Sequence, residues 1–245
     1  MITNNFERIV INIMKHINIA IDGPGGAGKS TISKEIAKRL GIIYVDTGAL
    51  YRTVGYYARE NGLSVEDAKV SDLITPLLDK INIEIAYVSG TQHVILNGED
   101  LGDKIRQPDI SMYASACSSV GNVRAFLLEA QKKLARENSV IMDGRDIGTV
   151  ILPDADVKIF LTASDSARAM RRYKELVAKG VDVKYEDVLN EMNQRDKADS
   201  SRAVAPLKPA EDAHYFDNSD YDFEGSVAYI INYITEKTGV QEIEK

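Results

Sequence analysis

Nine consecutive residues, Gly23-Pro24-Gly25-Gly26-Ala27-Gly28-Lys29-Ser30-Thr31, fill the pattern G-x-x-x-x-G-K-[ST] through Gly23, Gly28, Lys29 and Ser30. Glycines there let successive backbone N–H groups face a phosphate with no Cβ in the way. A helix that follows adds its positive N-terminal end. Lys29 can reach β- and γ-phosphate oxygens, and the Ser30 hydroxyl can ligate Mg²⁺. The chemistry implied is the binding of nucleotide phosphates. No Asn-Lys-x-Asp and no Leu-Ser-Gly-Gly-Gln occurs in the chain, which argues against a GTPase and an ABC-type ATPase. The size favours a small kinase.

Three further clusters could share that chemistry. Asp143-Gly144-Arg145-Asp146-Ile147-Gly148-Thr149 ends an apolar run, and ligands of doubly wound sheets sit at the carboxyl ends of strands. A capped turn with an internal ion pair would use the same residues. Arg168, Arg171 and Arg172 are followed by Arg195, Asp199 and Arg202. Arginine forks suit a transferring phosphoryl group, whereas a solvated charged face is the ordinary explanation of such runs. Arg195 and Arg202 would share one face if a helix continued through them. Asp46-Thr47-Gly48-Ala49-Leu50-Tyr51-Arg52 follows a second apolar run. There Thr47 is expected as a helix N-cap, and Arg52 lies one turn from a strand end.

The elements that must position these residues follow from periodicity. Ile17 to Asp22 reads as a strand feeding the glycine-rich turn, and Ser30 to Leu40 as a helix stopped by Gly41. Ile42 to Asp46 is a second strand, followed by a helix to about Glu60. Strand and helix in alternation predict a parallel sheet with right-handed crossovers. The rhythm then changes. Val65 to Leu78 reads as a helix, and Ile81 to Ile85 and His93 to Leu96 as strands near Ser89-Gly90 and Asn97-Gly98 turns. This predicts a small antiparallel insertion over about residues 64–108. A helix over Val120 to Glu137, strands over Ser139 to Asp143 and Val157 to Leu161, and an Arg-rich helix to about Lys179 follow. Tyr185 to Arg195 reads as a helix, Asp196 to Pro209 as a polar loop, His214 to Asp217 as the last strand and Gly225 to Lys237 as the last helix.

The chain has 245 residues, 44% hydrophobic and 27% charged, so one large domain with an insertion is expected. A net charge of -7 weakens any reading as a nucleic-acid or anionic-membrane binder. The single cysteine, Cys117, excludes an internal disulfide and stands among small residues as a buried hydrophobe would. Three widely spaced histidines make a histidine-based zinc site a poor reading. Ile9 to Met14 is apolar but short, and no small-residue cleavage site follows it. Residues 1–14 are therefore expected to be an extension, Met14 a native start, and the location cytoplasmic.

Taken together, Asp22 to Thr31, Asp46 to Arg52, Asp143 to Thr149 and Arg195-Asp196 through Arg202-Ala203-Val204-Ala205-Pro206-Leu207 resemble the bacterial cytidylate kinase family in order and spacing. The resemblance runs from about residue 15 to the end. It implies a P-loop α/β fold, a monophosphate-binding arm over about 64–108 and a lid over about 168–205. It implies phosphoryl transfer from ATP to CMP or dCMP, with Mg²⁺, in a cytoplasmic monomer without nucleic-acid or membrane partners. Gly23 to Thr31 would hold ATP, with Ser30 on the metal and Lys29, Arg145, Arg195 and Arg202 as the catalytic charges. The family pattern places Thr47, Arg52, Arg145, Arg195 and Arg202 around the acceptor and its phosphate, and Asp199 on the sugar. Ser115, Arg124 and Asp146 would read the cytosine edge. Position 47 is often Ser in the family, and Ala198 and Ser200 stand where some relatives carry Arg. The residues by themselves leave open a kinase of AMP, UMP or shikimate, or a nucleotide-binding switch without turnover.

Overall fold

In a computed structural model, described for residues 16–243 except 89 and 108, apolar β-branched segments form the centre of a parallel sheet. The expected N-terminal extension and the start at Met14 lie outside the described residues. The strands are β1 (Asn18–Asp22), β2 (Ile43–Asp46), β6 (Val140–Gly144), β7 (Val157–Thr162) and β8 (His214–Asp217), in the order β2-β6-β1-β7-β8. All four pairings are parallel. Ile19, Ile21, Ile141, Ile159 and Leu161 are fully enclosed, as expected for a sheet covered on both faces. Strands β1, β2 and β6 end at Asp22, Asp46 and Gly144, so three of the four chemistry-bearing clusters emerge at one edge.

Helices α1 (Lys29–Leu40) and α8 (Phe223–Thr238) cover one face. Ile32, Ile36 and Leu40 of α1 pack with Val227, Ile230 and Ile234 of α8. Helix α2 (Thr47–Glu60) belongs to a second core with α4 (Ile110–Ser118) and α5 (Gly121–Glu137). The close approach of α2 and α4 requires Gly55, where a Cβ would lie 2.9 Å from both Ala114 N and Tyr113 Cβ. Helix α4 was not expected from periodicity. Cys117, on that helix, is fully buried.

The insertion contains the antiparallel strands β3 (Ile83–Val88), β4 (Thr91–Leu96) and β5 (Glu99–Asp100). The helix expected over Val65 to Leu78 is broken into a 3₁₀ turn at Asp67–Lys69 and α3 (Ser71–Leu78). Ser64 and Asp67 bond reciprocally and close the first turn, and Val70 is extended. Helices α6 (Asp165–Ala178) and α7 (Tyr185–Ser200) lie between β7 and β8. The polar loop expected from Asp196 begins only after Ser200.

Candidate active site

The loop between β1 and α1 is built from backbone. Gly23 has φ of 150°, and a Cβ there would lie 1.9 Å from the Leu161 carbonyl oxygen. Only glycine fits. Lys29 is buried and its Nζ donates to the Pro24 carbonyl at 2.6 Å, inside the loop. Burial, together with the charge of Arg145, pulls its ammonium well below the usual lysine range. A desolvated cation at this point gains strongly from a phosphate. Ser30 Oγ donates to Asp143 Oδ2 at 2.7 Å, and Tyr44 OH donates to Asp143 Oδ1 at 2.8 Å. Thr47 Oγ1 donates to the Asp143 carbonyl at 2.7 Å. Asp143 thus joins the ends of β2 and β6 to α1. The sequence places Asp143 in a cluster suited to ligand contacts without a role of its own, which only its position as the last buried carboxylate of β6 signals. Burial raises its carboxyl above the ordinary range.

Asp22, the residue before Gly23, is buried and accepts from the backbone N–H groups of Ile147 and Gly148, each at 2.7 Å. Those N–H groups begin the π-helical turn Ile147–Ile151 and have no partner within it. The carboxylate therefore ties the phosphate loop to the Arg145-Asp146 segment. Burial lifts its pKa to about 6 against the opposing pull of the two N–H groups.

The residues expected on the acceptor side come together as carboxylate-guanidinium pairs. Arg124 of α5 is bonded to Asp146, both buried, and its Nη1 also donates to the Ser118 carbonyl at 3.3 Å. Arg145 Nε donates to Asp199 Oδ2 at 2.9 Å, and Arg202 Nη1 lies 3.9 Å from Asp199 Oδ1. Burial would raise the Asp199 carboxyl, but Arg145, Arg195 and Arg202 outweigh it and hold the group below the ordinary range. Arg52 Nη2 donates to Asp46 Oδ2 at 2.7 Å. Among the described residues, Arg52 Nε, Arg195 Nε, Arg202 Nε and Arg202 Nη2 are buried and unpartnered. Burial, with the charges of Arg145 and Arg52, pulls the Arg195 guanidinium down to about 10. Like charges held this way, with donors unsatisfied, form a site for an anion.

The donor and acceptor sides adjoin. A Cβ on Gly25 would sit 3.9 Å from Arg145 Nη2 and from Asp196 Oδ1. Asp196 Oδ1 accepts from the Gly25 N–H at 3.3 Å, and Arg168 Nη1 donates to the Gly25 carbonyl at 2.8 Å and to Asp196 Oδ2. Helices α6 and α7 therefore rest on the loop through Arg168 and Asp196. Beside Gly28 and Thr31 lies a cavity of about 230 Å³, bordered by Arg171, Asn218 and Tyr221.

Two expectations are corrected. The N-cap of α2 is Asp46, whose Oδ1 accepts from Ala49 N at 2.9 Å, so Thr47 is left free to hold Asp143. Arg195 lies within α7, and Arg202 lies beyond its end. Ser115 meets the Arg124–Asp146 pair only indirectly: its carbonyl accepts from Ser118 Oγ at 2.8 Å, the Ser118 carbonyl accepts from Arg124 Nη1, and Ser118 Oγ accepts from Arg202 Nη1 at 3.0 Å.

Residues 19–236 match the family model described as cytidylate kinase. The chain is 52% identical over 211 residues to the cytidylate kinase of Caldicellulosiruptor bescii, covering 86% of this chain and 92% of that one. The chain belongs to the cytidylate kinase family. It is 45% identical to the cytidylate kinase of Fervidobacterium nodosum over 92% of this chain and all of that one. Among solved structures, shikimate kinase from Acinetobacter baumannii aligns over 91% of this chain and 96% of its own, at 16% identity and a TM-score of 0.46. Membership makes the protein an ATP-dependent phosphotransferase. Among the described residues, no helix is long and apolar enough to cross a membrane.

Proposed function

We propose that the protein transfers the γ-phosphoryl group of ATP to CMP or dCMP, acting as a cytoplasmic monomer. The observation that carries this reading is the cluster of arginines with buried, unsatisfied donor atoms next to the phosphate loop. The loop holds the ATP phosphates, and Lys29 leaves Pro24 to follow the moving phosphoryl group. The cavity beside Gly28 receives the nucleoside end of ATP. Arg52, Arg195 and Arg202 take the acceptor phosphate, with Thr47 at its side. Asp199 contacts the sugar. Asp146 accepts from the cytosine amino group, and Arg124 and Ser115 donate to its acceptors. The stretch over about 64–108 acts as the monophosphate-binding arm and that over about 168–205 as the lid.

Phosphoryl transfer needs no covalent intermediate, because positioning and neutralisation of charge carry it. Arg145 stands between the two nucleotides and neutralises the group in flight. Closure of the lid excludes water and so suppresses ATP hydrolysis. A hydroxyl at Ser30 beside the Asp143 carboxylate suits Mg²⁺, which keeps most of its shell as water and phosphate oxygen. Among the described residues there is no cluster of three or more His, Cys, Asp or Glu set to hold a metal, so the nucleotide would supply the remaining ligands. When bound, the ion offsets negative charge on the phosphates.

The test is ADP release across CMP, dCMP, UMP and AMP. CMP and dCMP should turn over with kcat/KM at least about tenfold above UMP, since a buried carboxylate opposed to the uracil carbonyl costs about 1–3 kcal/mol. ATP binding without formation of CDP would overturn the reading.

A further inference from the structure

Strand β2 is at the edge of the parallel sheet, paired only with β6. Its alternate backbone groups therefore point away from the sheet. Two of these residues, Tyr44 and Asp46, find partners in side chains of the insertion. Gln92 of β4 accepts from the Asp46 N–H at 2.8 Å through Oε1 and donates to the Asp46 carbonyl at 3.2 Å through Nε2. Tyr87 of β3 donates its hydroxyl to the Tyr44 carbonyl at 3.1 Å. Tyr87 and Gln92 are directly opposite each other in the β3–β4 register. One cross-strand pair thus does for β2 what a neighbouring strand would do, since a primary amide carries the same donor and acceptor as a peptide group.

The residue so held is not an arbitrary one. Asp46 caps α2 through Oδ1 and fixes Arg52 through Oδ2. Its backbone is gripped by Gln92 while its side chain grips Arg52, whose Nε is buried and unpartnered. Among the described residues, no hydrogen bond joins the insertion to the side chains of Arg124 or Asp146. We propose that Gln92 is a positioning residue, acting through Asp46 to set Arg52 for the acceptor phosphate, with Tyr87 as its second point of attachment. This rests on the proposed role of Arg52.

A device that acts on the phosphate and not on the base has a distinctive kinetic signature. Gln92→Ala should raise KM for CMP and for UMP by the same factor, about tenfold, with kcat within about threefold and the ATP KM unchanged. The CMP to UMP ratio should stay as in the wild type. Tyr87→Phe removes only the hydroxyl bond, and should raise both acceptor KM values about two- to threefold. Gln92→Glu keeps the acceptor for the Asp46 N–H, and should fall between Gln92→Ala and the wild type. The measurements are steady-state kinetics with each monophosphate at saturating ATP, alongside melting temperature. Unchanged acceptor KM in Gln92→Ala and Tyr87→Phe would overturn the inference, as would a narrowed CMP to UMP ratio, which would mean the insertion acts on the base. Should Gln92→Ala not fold, Tyr87→Phe decides by the same two criteria. A wild type that forms no CDP would instead refute the proposed activity, so the two failures are distinct.

Discussion

The phosphate loop is shaped by backbone geometry and tied at its base by the buried carboxylate of Asp22, bonded to uncharged N–H groups, with the Arg168–Asp196 pair resting on Gly25. The acceptor side, a few ångströms away, is held by ion pairs between separate elements: Arg124 of α5 with Asp146, Arg145 with Asp199 of α7, and Arg52 with Asp46. The first arrangement is ready before the nucleotide arrives. In the proposed reaction the second exchanges carboxylate partners for phosphate and base, and several of its guanidinium donors have no partner in the structure. A rigid cradle suits a phosphate chain common to all ATP reactions. Exchangeable pairs suit recognition, because a wrong acceptor leaves charges buried without partners.

If that contrast holds, Lys29→Ala should cause the largest loss, on the order of a thousandfold in kcat, with melting temperature nearly unchanged. Retained turnover in a coupled ADP-release assay would break the assignment of the loop. On the acceptor side, Asp146→Ala leaves Arg124 buried and unpaired, which should cost about 3–5 kcal/mol of stability. It should also narrow the CMP to UMP ratio, mainly by losing CMP. Denaturant unfolding and kcat/KM for both monophosphates check the two effects. An unchanged ratio would move Asp146 to a purely structural role.

Asp22 gives a test through pH. Its folded pKa of about 6 lies above the ordinary value of 3.8. The folded state therefore binds this proton more tightly, and its contribution to stability is present below pH about 4 and is lost as pH rises through about 6. In Asp22→Asn that dependence disappears. The stability advantage of wild type over the variant should shrink with rising pH across this window, by up to about 3 kcal/mol. Denaturant midpoints at pH 4 and pH 7 measure it, and an advantage that grows with pH would contradict the assignment. The smallest effect belongs to Arg202→Lys, which keeps the charge and loses the planar fork. It should lower kcat about tenfold with ATP affinity within about twofold. Equal losses in both would show that Arg202 binds ground and transition states alike.

The phosphate loop, the parallel sheet and the arginines were legible because each is written in local spacing or periodicity. What escaped depends on distant partners. Helix α4 is made by Ala114, Ala116 and Cys117 packing on α2 across Gly55, a contact separated by some sixty residues of chain. The end of α7 is polar throughout, and its helical state follows from Asp199 being held by Arg145 and Asp196 by Arg168. Thr47 and Asp46 are both capping types, and only the hydroxyl's bond to Asp143 shows which residue caps. Asp22 reads as the last residue of a strand until Ile147 and Gly148 are brought beside it. Ser118 likewise becomes informative only when Arg124 and Arg202 meet it.

The pairing of Tyr87 and Gln92 with β2 also bears on how the molecule behaves in company. An uncovered outer strand offers a row of free N–H and carbonyl groups to any passing chain, and such strands are where soluble proteins stick to one another. Here the side chains of a hairpin occupy that row without extending the sheet, and the hairpin presents Glu84 and Thr91 to water beside one exposed apolar residue, Val88. A chain shortened by deleting the hairpin would expose Tyr44 and Asp46 backbone groups together with the apolar surface of α2 beneath. The two residues proposed to set Arg52 are thus also the ones that cover this edge.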